Sequence, residues 1–217
     1  MARRNTLIKV AVGLLALGGL AVLFVRSAQD TRAEPYTIAR DHLARWILVL
    51  EPPRDPSGIV LALRPPPELM PPLFSQVFKR SGESLSSPVP PALPLVLQSE
   101  FDGPATGSVT AEALLPLARA AGLESAAIQP RCLAHRRVSE PGSTRQVFFL
   151  RLDLPGFDGF RRQVAQKLRD AGAPASAFDP AALSPILIVA ATDAGFSRWL
   201  PLKAGAEDDC LAPIAVQ

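Results

Sequence analysis

PVPPALPLVLQSEF, residues 88–101, and ALSPILIVAATD, residues 182–193, follow one plan: proline, a short apolar run, then acids and small residues. In a strand over the first, Leu93, Leu95 and Leu97 face one way and Pro94 and Val96 the other, and every one of them is apolar. SPILIVA is likewise apolar on both sides. Strands of this kind are buried on both faces. The two segments are therefore expected to be interior scaffolding rather than carriers of reactive groups.

Working outward, ARWILVLEPP (44–53) and SGIVLALRPPP (57–67) read as strands joined by a turn over Asp55 to Gly58 and ended by prolines, which cannot continue a ladder. Met70, Leu73, Phe74, Val77 and Phe78 fall at helical spacing, with Gly82 beyond the end. GSVTAEALLPLARAAGL predicts a second helix closed by Gly122, kinked or restarted at Pro116. Residues 127–138 and 145–154 flank SEPGST and predict a long hairpin. GFDGFRRQVAQKLRDAG puts Phe157, Phe160, Val164 and Leu168 on one helical face, and FSRWLPL is expected as an edge strand. The order β-β-α-β-α-β-β-α-β is an α+β pattern. It predicts a mostly antiparallel sheet with helices on one face, as one layer or as two ferredoxin-like lobes. Of the 23 prolines, 13 lie between Pro52 and Pro104, separated by apolar runs, so they read as corners at strand ends rather than as a flexible tract.

Ahead of this body the chain is apolar from Leu7 to Val25 except for Lys9, which sits close enough to one end to snorkel. At about 1.5 Å per residue the stretch spans on the order of 28 Å, close to the roughly 30 Å of a hydrocarbon core. A cleaved signal is the competing reading. It wants a shorter apolar region and a small-x-small site, and Arg26 stands where a small side chain is needed. The expected organisation is a cytoplasmic N-terminus and transmembrane signal-anchor over 1–25, a polar juxtamembrane linker over 26–43, and an extracytoplasmic α+β domain over 44–217. The bilayer is then a partner through residues 7–25.

The formal charge of +3 belongs to Arg3, Arg4 and Lys9; removing these from the 23 basic residues leaves 20 against 20 acids. Such a balance gives no argument for a nucleic-acid partner. Cys132 and Cys210 are the only cysteines. In an exported domain they are expected to pair, closing a loop of about 78 residues worth roughly 4 to 5 kcal/mol in the chain-entropy account; two free thiols are the alternative.

Few residues offer chemistry. His42 lies in ARDHLAR and is expected to face solvent. Cys132 and His135 have C-x-x-H spacing, but a zinc site would also need Cys210 and a carboxylate such as Asp208 or Asp209, and no metal or other cofactor is expected. Glu100 with Asp102 reads as a turn. No G-x-S-x-G and no phosphate-binding glycine loop occurs in the soluble part, so no catalytic residue is assigned. The one polar concentration is Arg131, Arg136, Arg137, Arg145 and Arg151 on the predicted hairpin. Converging guanidinium groups hold phosphate or carboxylate; the alternative is a solvated face paired with acids.

From Gly58 to Asp193 the succession resembles the two-histidine (2H) phosphoesterases, the family of the RNA 2′,3′-cyclic phosphodiesterases. IVLALRPPPELMPPLFSQVF is similar to that family's first strand and helix, and PPALPLVLQSEF to the strand bearing its first His-x-Thr. VFFLRLDLPGFDGFRRQVAQKLRDAG and FDPAALSPILIVA resemble the second set. The resemblance places the first motif on Pro94 and Val96 and the second on Ile186 and Ile188, so both imidazoles and both hydroxyls are missing. It implies a shared fold with an inactive site, because proton transfer in that family needs the two imidazoles. The expectation is a membrane-anchored envelope protein whose non-enzymatic domain binds a protein or acts as a scaffold. The alternative is a 2H-like anion or phosphoester binder or hydrolase using the arginine hairpin.

Overall fold

The computed structural model describes residues 34–52, 58–101, 109–140, 142–200 and 210–217. The apolar segment 7–25, the linker as far as residue 33, the turn at 55–57, Asp102, Asp208 and Asp209 lie outside the described residues. Among the described residues no helix is long and apolar enough to cross a membrane.

In chain order the elements are β1 (Tyr36–Ile38), β2 (Ile47–Leu50), β3 (Ile59–Arg64), α1 (Met70–Ser81), β4 (Leu93–Leu97), α2 (Leu114–Ala120), β5 (Gln129–Glu140), β6 (Ser143–Asp153), α3 (Phe157–Asp170), β7 (Ile186–Ala191) and β8 (Cys210–Val216). The fold is α+β, with a mostly antiparallel, curled sheet in two sections, β1-β8-β5-β6-β7 and β2-β3-β4. Only the β1–β8 pair is parallel among the described strands.

Both apolar segments are core. Every residue of β4 and of β7 is buried. Leu133, Phe148, Leu150, Leu152, Leu187 and Val189 share one face of the larger section with Met70, Leu73 and Val77 of α1 and Phe157, Phe160, Val164 and Leu168 of α3. Each such side chain contributes about 1.5–3 kcal/mol on leaving water. The opposite face carries a smaller cluster of Cys132, Ala134, Val147, Phe149, Ile186, Ile188 and Ala191, closed by Trp199. Phe78, expected on the buried face of α1, is 48 % exposed and stacks on Phe74 instead. At α2 the chain does restart: a 3-10 turn over Ala111–Ala113 leads into the helix at Leu114, which leaves Pro116 in the first turn, where its missing N–H costs nothing.

Several segments depart from expectation. Tyr36–Ile38, read as linker, form a strand whose Tyr36 and Ile38 are buried, so the folded unit begins at Pro35. Its partner β8 contains Pro213, which argues against a strand; β1 pairs only with Ile214–Val216, beyond the proline, so no β1 bond needs the missing N–H. QSEF is a helical turn, Gln98–Phe101, rather than the end of β4, because the Glu100 carboxylate accepts the Leu97 N–H at 3.0 Å and ends the strand there. FSRWLPL is not an edge strand: Phe196–Trp199 form a 3-10 turn. At the edge of β7, Ser86 exchanges two backbone hydrogen bonds with Ala191.

Polar groups close two further edges. On β1, the Gln76 amide accepts from the Thr37 N–H and donates to the Thr37 carbonyl, both at 2.9 Å, as a neighbouring strand would. On β4 the closure is made by Arg161, a fully buried arginine of α3. Its Nη1 donates to Leu95 O (3.0 Å) and Glu100 Oε2 (3.2 Å), its Nη2 to Glu100 Oε1 (2.6 Å) and Asp179 O (2.7 Å), and its Nε to Pro180 O (2.8 Å). All five N–H donors of the guanidinium are thereby used. Its face lies 4.5 Å from the centre of the Phe178 ring.

Candidate functional site

β4 and β7 end their respective sheet sections and pack side by side. Above them opens a cleft of about 520 Å³. Its floor is set by alternation: Pro94 from β4 and Ile188 from β7 turn toward it, as do Ile59 and Ala92. Pro88, Val89 and Pro90 form one wall, and Gly195 to Arg198 with Leu200 the other. Pro94 and Ile188 are two of the four positions on which the 2H resemblance places motif residues. The other two, Val96 and Ile186, are buried beneath.

The charged residues of the cleft are Glu51, Arg64 and Arg198. Glu51 and Arg64 close the apolar runs LVLE and LALR on adjacent strands of an antiparallel pair, each just before a proline. Arg64 Nη2 donates to Glu51 Oε1 and Oε2, both at 2.7 Å, and Nε donates to Oε1 at 3.2 Å. The Glu51 side chain is 6 % exposed and that of Arg64 31 %. Arg64 Nη1 makes no hydrogen bond among the described residues, and Arg198, exposed at the rim, makes no ion pair among them. Both oxygens of the Glu51 carboxylate are thus engaged by its own chain. The cleft therefore offers apolar contact and surplus positive charge. These three residues were missed from the sequence. In the antiparallel pair Arg64 lies opposite Ile47 while Glu51 follows Leu50 at the other end, so only the reach of the two long side chains joins them, and no spacing in the sequence marks it.

The five hairpin arginines do not converge. With Cys132 opposite Arg151, Arg136 opposite Val147 and Val138 opposite Arg145, alternation puts Arg136, Arg145 and Arg151 on the face of the smaller cluster and Arg137 on the other. Arg131 pairs with Asp153 at 2.6 Å and Arg145 with Asp193 at 3.6 Å. Arg136 lies 6.0 Å over Phe149, and Arg151 Nη1 reaches Cys210 Sγ at 3.8 Å. Cys132 and Cys210 form a disulfide that ties β8 to β5, with Cα atoms 5.8 Å apart. That bond removes the thiolates a zinc site would need, and His135 faces the opposite side of the sheet. Among the described residues no cluster could hold a metal ion. His42 lies in a 3-10 turn with its side chain 24 % exposed, more covered than expected.

His135 belongs to a polar network that the sequence did not reveal. Its Nε2 donates to Gln146 Oε1 at 2.9 Å, Arg137 Nη2 donates to the same oxygen at 3.3 Å, and Gln146 Nε2 donates to Glu83 Oε1 at 3.2 Å. The ring stacks on Phe148 with centroids 4.7 Å apart. Burial holds the His135 pKa below its usual 6.5; the Gln146 bond opposes the shift and nearby Arg137 adds to it. Gln146 is itself buried and its backbone exchanges bonds with Thr192, so the network braces β6 against the end of β7. Comparison with protein-family models, curated proteins and solved structures finds no match to this chain.

Proposed function

We propose that this chain is a single-pass, membrane-anchored envelope protein whose extracytoplasmic domain, built as two ferredoxin-like lobes, binds a partner protein and performs no reaction of its own. The observation that carries the reading is the cleft. Where a 2H phosphoesterase would present two imidazoles, this cleft presents Pro94 and Ile188, and its one carboxylate among the described residues is held by Arg64. The Cys132–Cys210 disulfide supports an oxidising compartment, and the apolar run 7–25 supports the anchor. The alternative, an anion or phosphoester ligand on the arginine hairpin, is supported less, because Arg131 and Arg145 have aspartate partners and Arg137 lies on the other face.

Thiol labelling of intact cells, followed by labelling of denatured, unreduced protein, tests the compartment. The expected result is no free thiol in either sample. Two reactive cysteines would overturn the topology. Mild detergent extraction of the full chain, with cross-linking, tests the partner; recovery of the chain alone would overturn protein binding. Replacing Arg136, Arg137 and Arg151 together is expected to leave the cross-linked species unchanged.

A further inference from the structure

We infer that the cleft between β4 and β7 receives an extended, mainly apolar segment of the partner protein that carries one carboxylate, clasped by Arg64 and Arg198. This rests on the protein-binding reading and names the chemistry of what is bound.

Charge comes first. The cleft holds two arginines and one glutamate, and Glu51 is already satisfied by Nε and Nη2 of Arg64. What remains is the Nη1 edge of Arg64 and the whole guanidinium of Arg198, without ion-pair partners among the described residues. Forked donors of this kind select a carboxylate. Because Glu51 holds Arg64 by its other edge, the guanidinium is oriented before any ligand arrives, and little order has to be imposed on binding.

The surrounding surface argues for a polypeptide over a small molecule. Small ligands fit into pockets that enclose most of their surface. Here the apolar surface does not stop at the cleft: Val89, on the wall formed by Pro88, Val89 and Pro90, is 91 % exposed. Only an occupant that extends past the rim covers it. That wall is made largely of prolines, which hold their shape and lack backbone donors, so recognition there is by apolar contact. The carboxylate supplies the specificity.

The test uses the full chain in lipid nanodiscs and a displayed library of random peptides. Enriched peptides are expected to be apolar with one Asp or Glu. Arg198→Ala should weaken a selected peptide about tenfold in fluorescence anisotropy, the effect of losing one charge-assisted hydrogen bond. Arg198→Glu should shift enrichment toward Lys and Arg. Val89→Asp should weaken the original peptide as well. Both side chains are exposed, so the fold tolerates these changes. Enrichment of peptides without an acid, enrichment indifferent to both variants, or binding of dodecanoate with no peptide enriched would overturn the inference. Cross-linking in cells separates the two levels. A protein cross-link that both variants leave unchanged keeps the protein-binding reading and sinks the cleft; loss of any cross-link in the unaltered chain sinks both.

Discussion

Arg161–Glu100 and Arg64–Glu51 are the same pair of residue types, the first joined through both terminal nitrogens and the second through Nε and Nη2, yet they do opposite work. Arg161 is fully buried and divides its five donors between Glu100 and the carbonyls of Leu95, Asp179 and Pro180. Arg64 is partly open and, among the described residues, bonds to Glu51 alone and keeps one nitrogen idle beside a cleft. An arginine whose donors are exhausted by its own chain is a structural clamp. One with a donor to spare, held in place by a carboxylate, keeps that donor for an incoming group.

The comparison breaks most readily at Arg161. Arg161→Ala is expected to cost about 3–5 kcal/mol in chemical denaturation, since it strands the largely covered Glu100 carboxylate and three carbonyls. The double variant Arg161→Met with Glu100→Leu should remain strongly destabilised, because three carbonyls still lack donors; full recovery would show that the charge pair alone mattered.

A smaller effect asks whether the clamp depends on the seating of α3. Gly156, just before that helix, has φ +87°, and a Cβ there would collide with the carbonyl oxygen of Ala121. Gly156→Ala leaves the guanidinium intact and should still cost about 2 kcal/mol or more in the same measurement. Next comes Arg64→Ala, expected at about 1–2 kcal/mol because Glu51 is left covered and unpaired. In contrast with the buried clamp, Glu51→Leu combined with Arg64→Leu should restore stability.

His135 gives the smallest effect and a sign of its own. Its pKa is depressed in the folded chain, so below pH 6.5 the unfolded chain takes up a proton before the folded one does. Stability is thus fully present above 6.5 and falls as pH drops from there to the folded pKa. Melting temperature should show this slope, and His135→Gln should flatten it.

The strands and helices were legible where periodicity was long. PLVL and PILIVA gave themselves away by being apolar on both faces, and GFDGFRRQVAQKLRD by its spacing. Three-residue β1 is too short to show a period, and β8 was concealed by Pro213. Arg161 stands among FRRQ as one more helical arginine, and nothing in its neighbourhood announces that residues 61 to 66 positions earlier will bury it. The candidate site was half visible: the two strands flooring the cleft were found, whereas Glu51, Arg64 and Arg198 come together only through pairing and turns. The hairpin arginines illustrate the converse. Nearness in sequence on a strand does not survive the alternation of its faces.

The parallel seam between β1 and β8 sets Tyr36 against Ile214 and Ile38 against Val216, and Gln217 exchanges further backbone bonds with Arg40 and Ile38. Traction applied between Pro35 and Gln217 draws on the start of one strand and the finish of the other. It strains every bond of the seam at once, as in a lap joint, instead of parting them one after another like a zip. The first strand of the domain is thus positioned to withstand being tugged along its length.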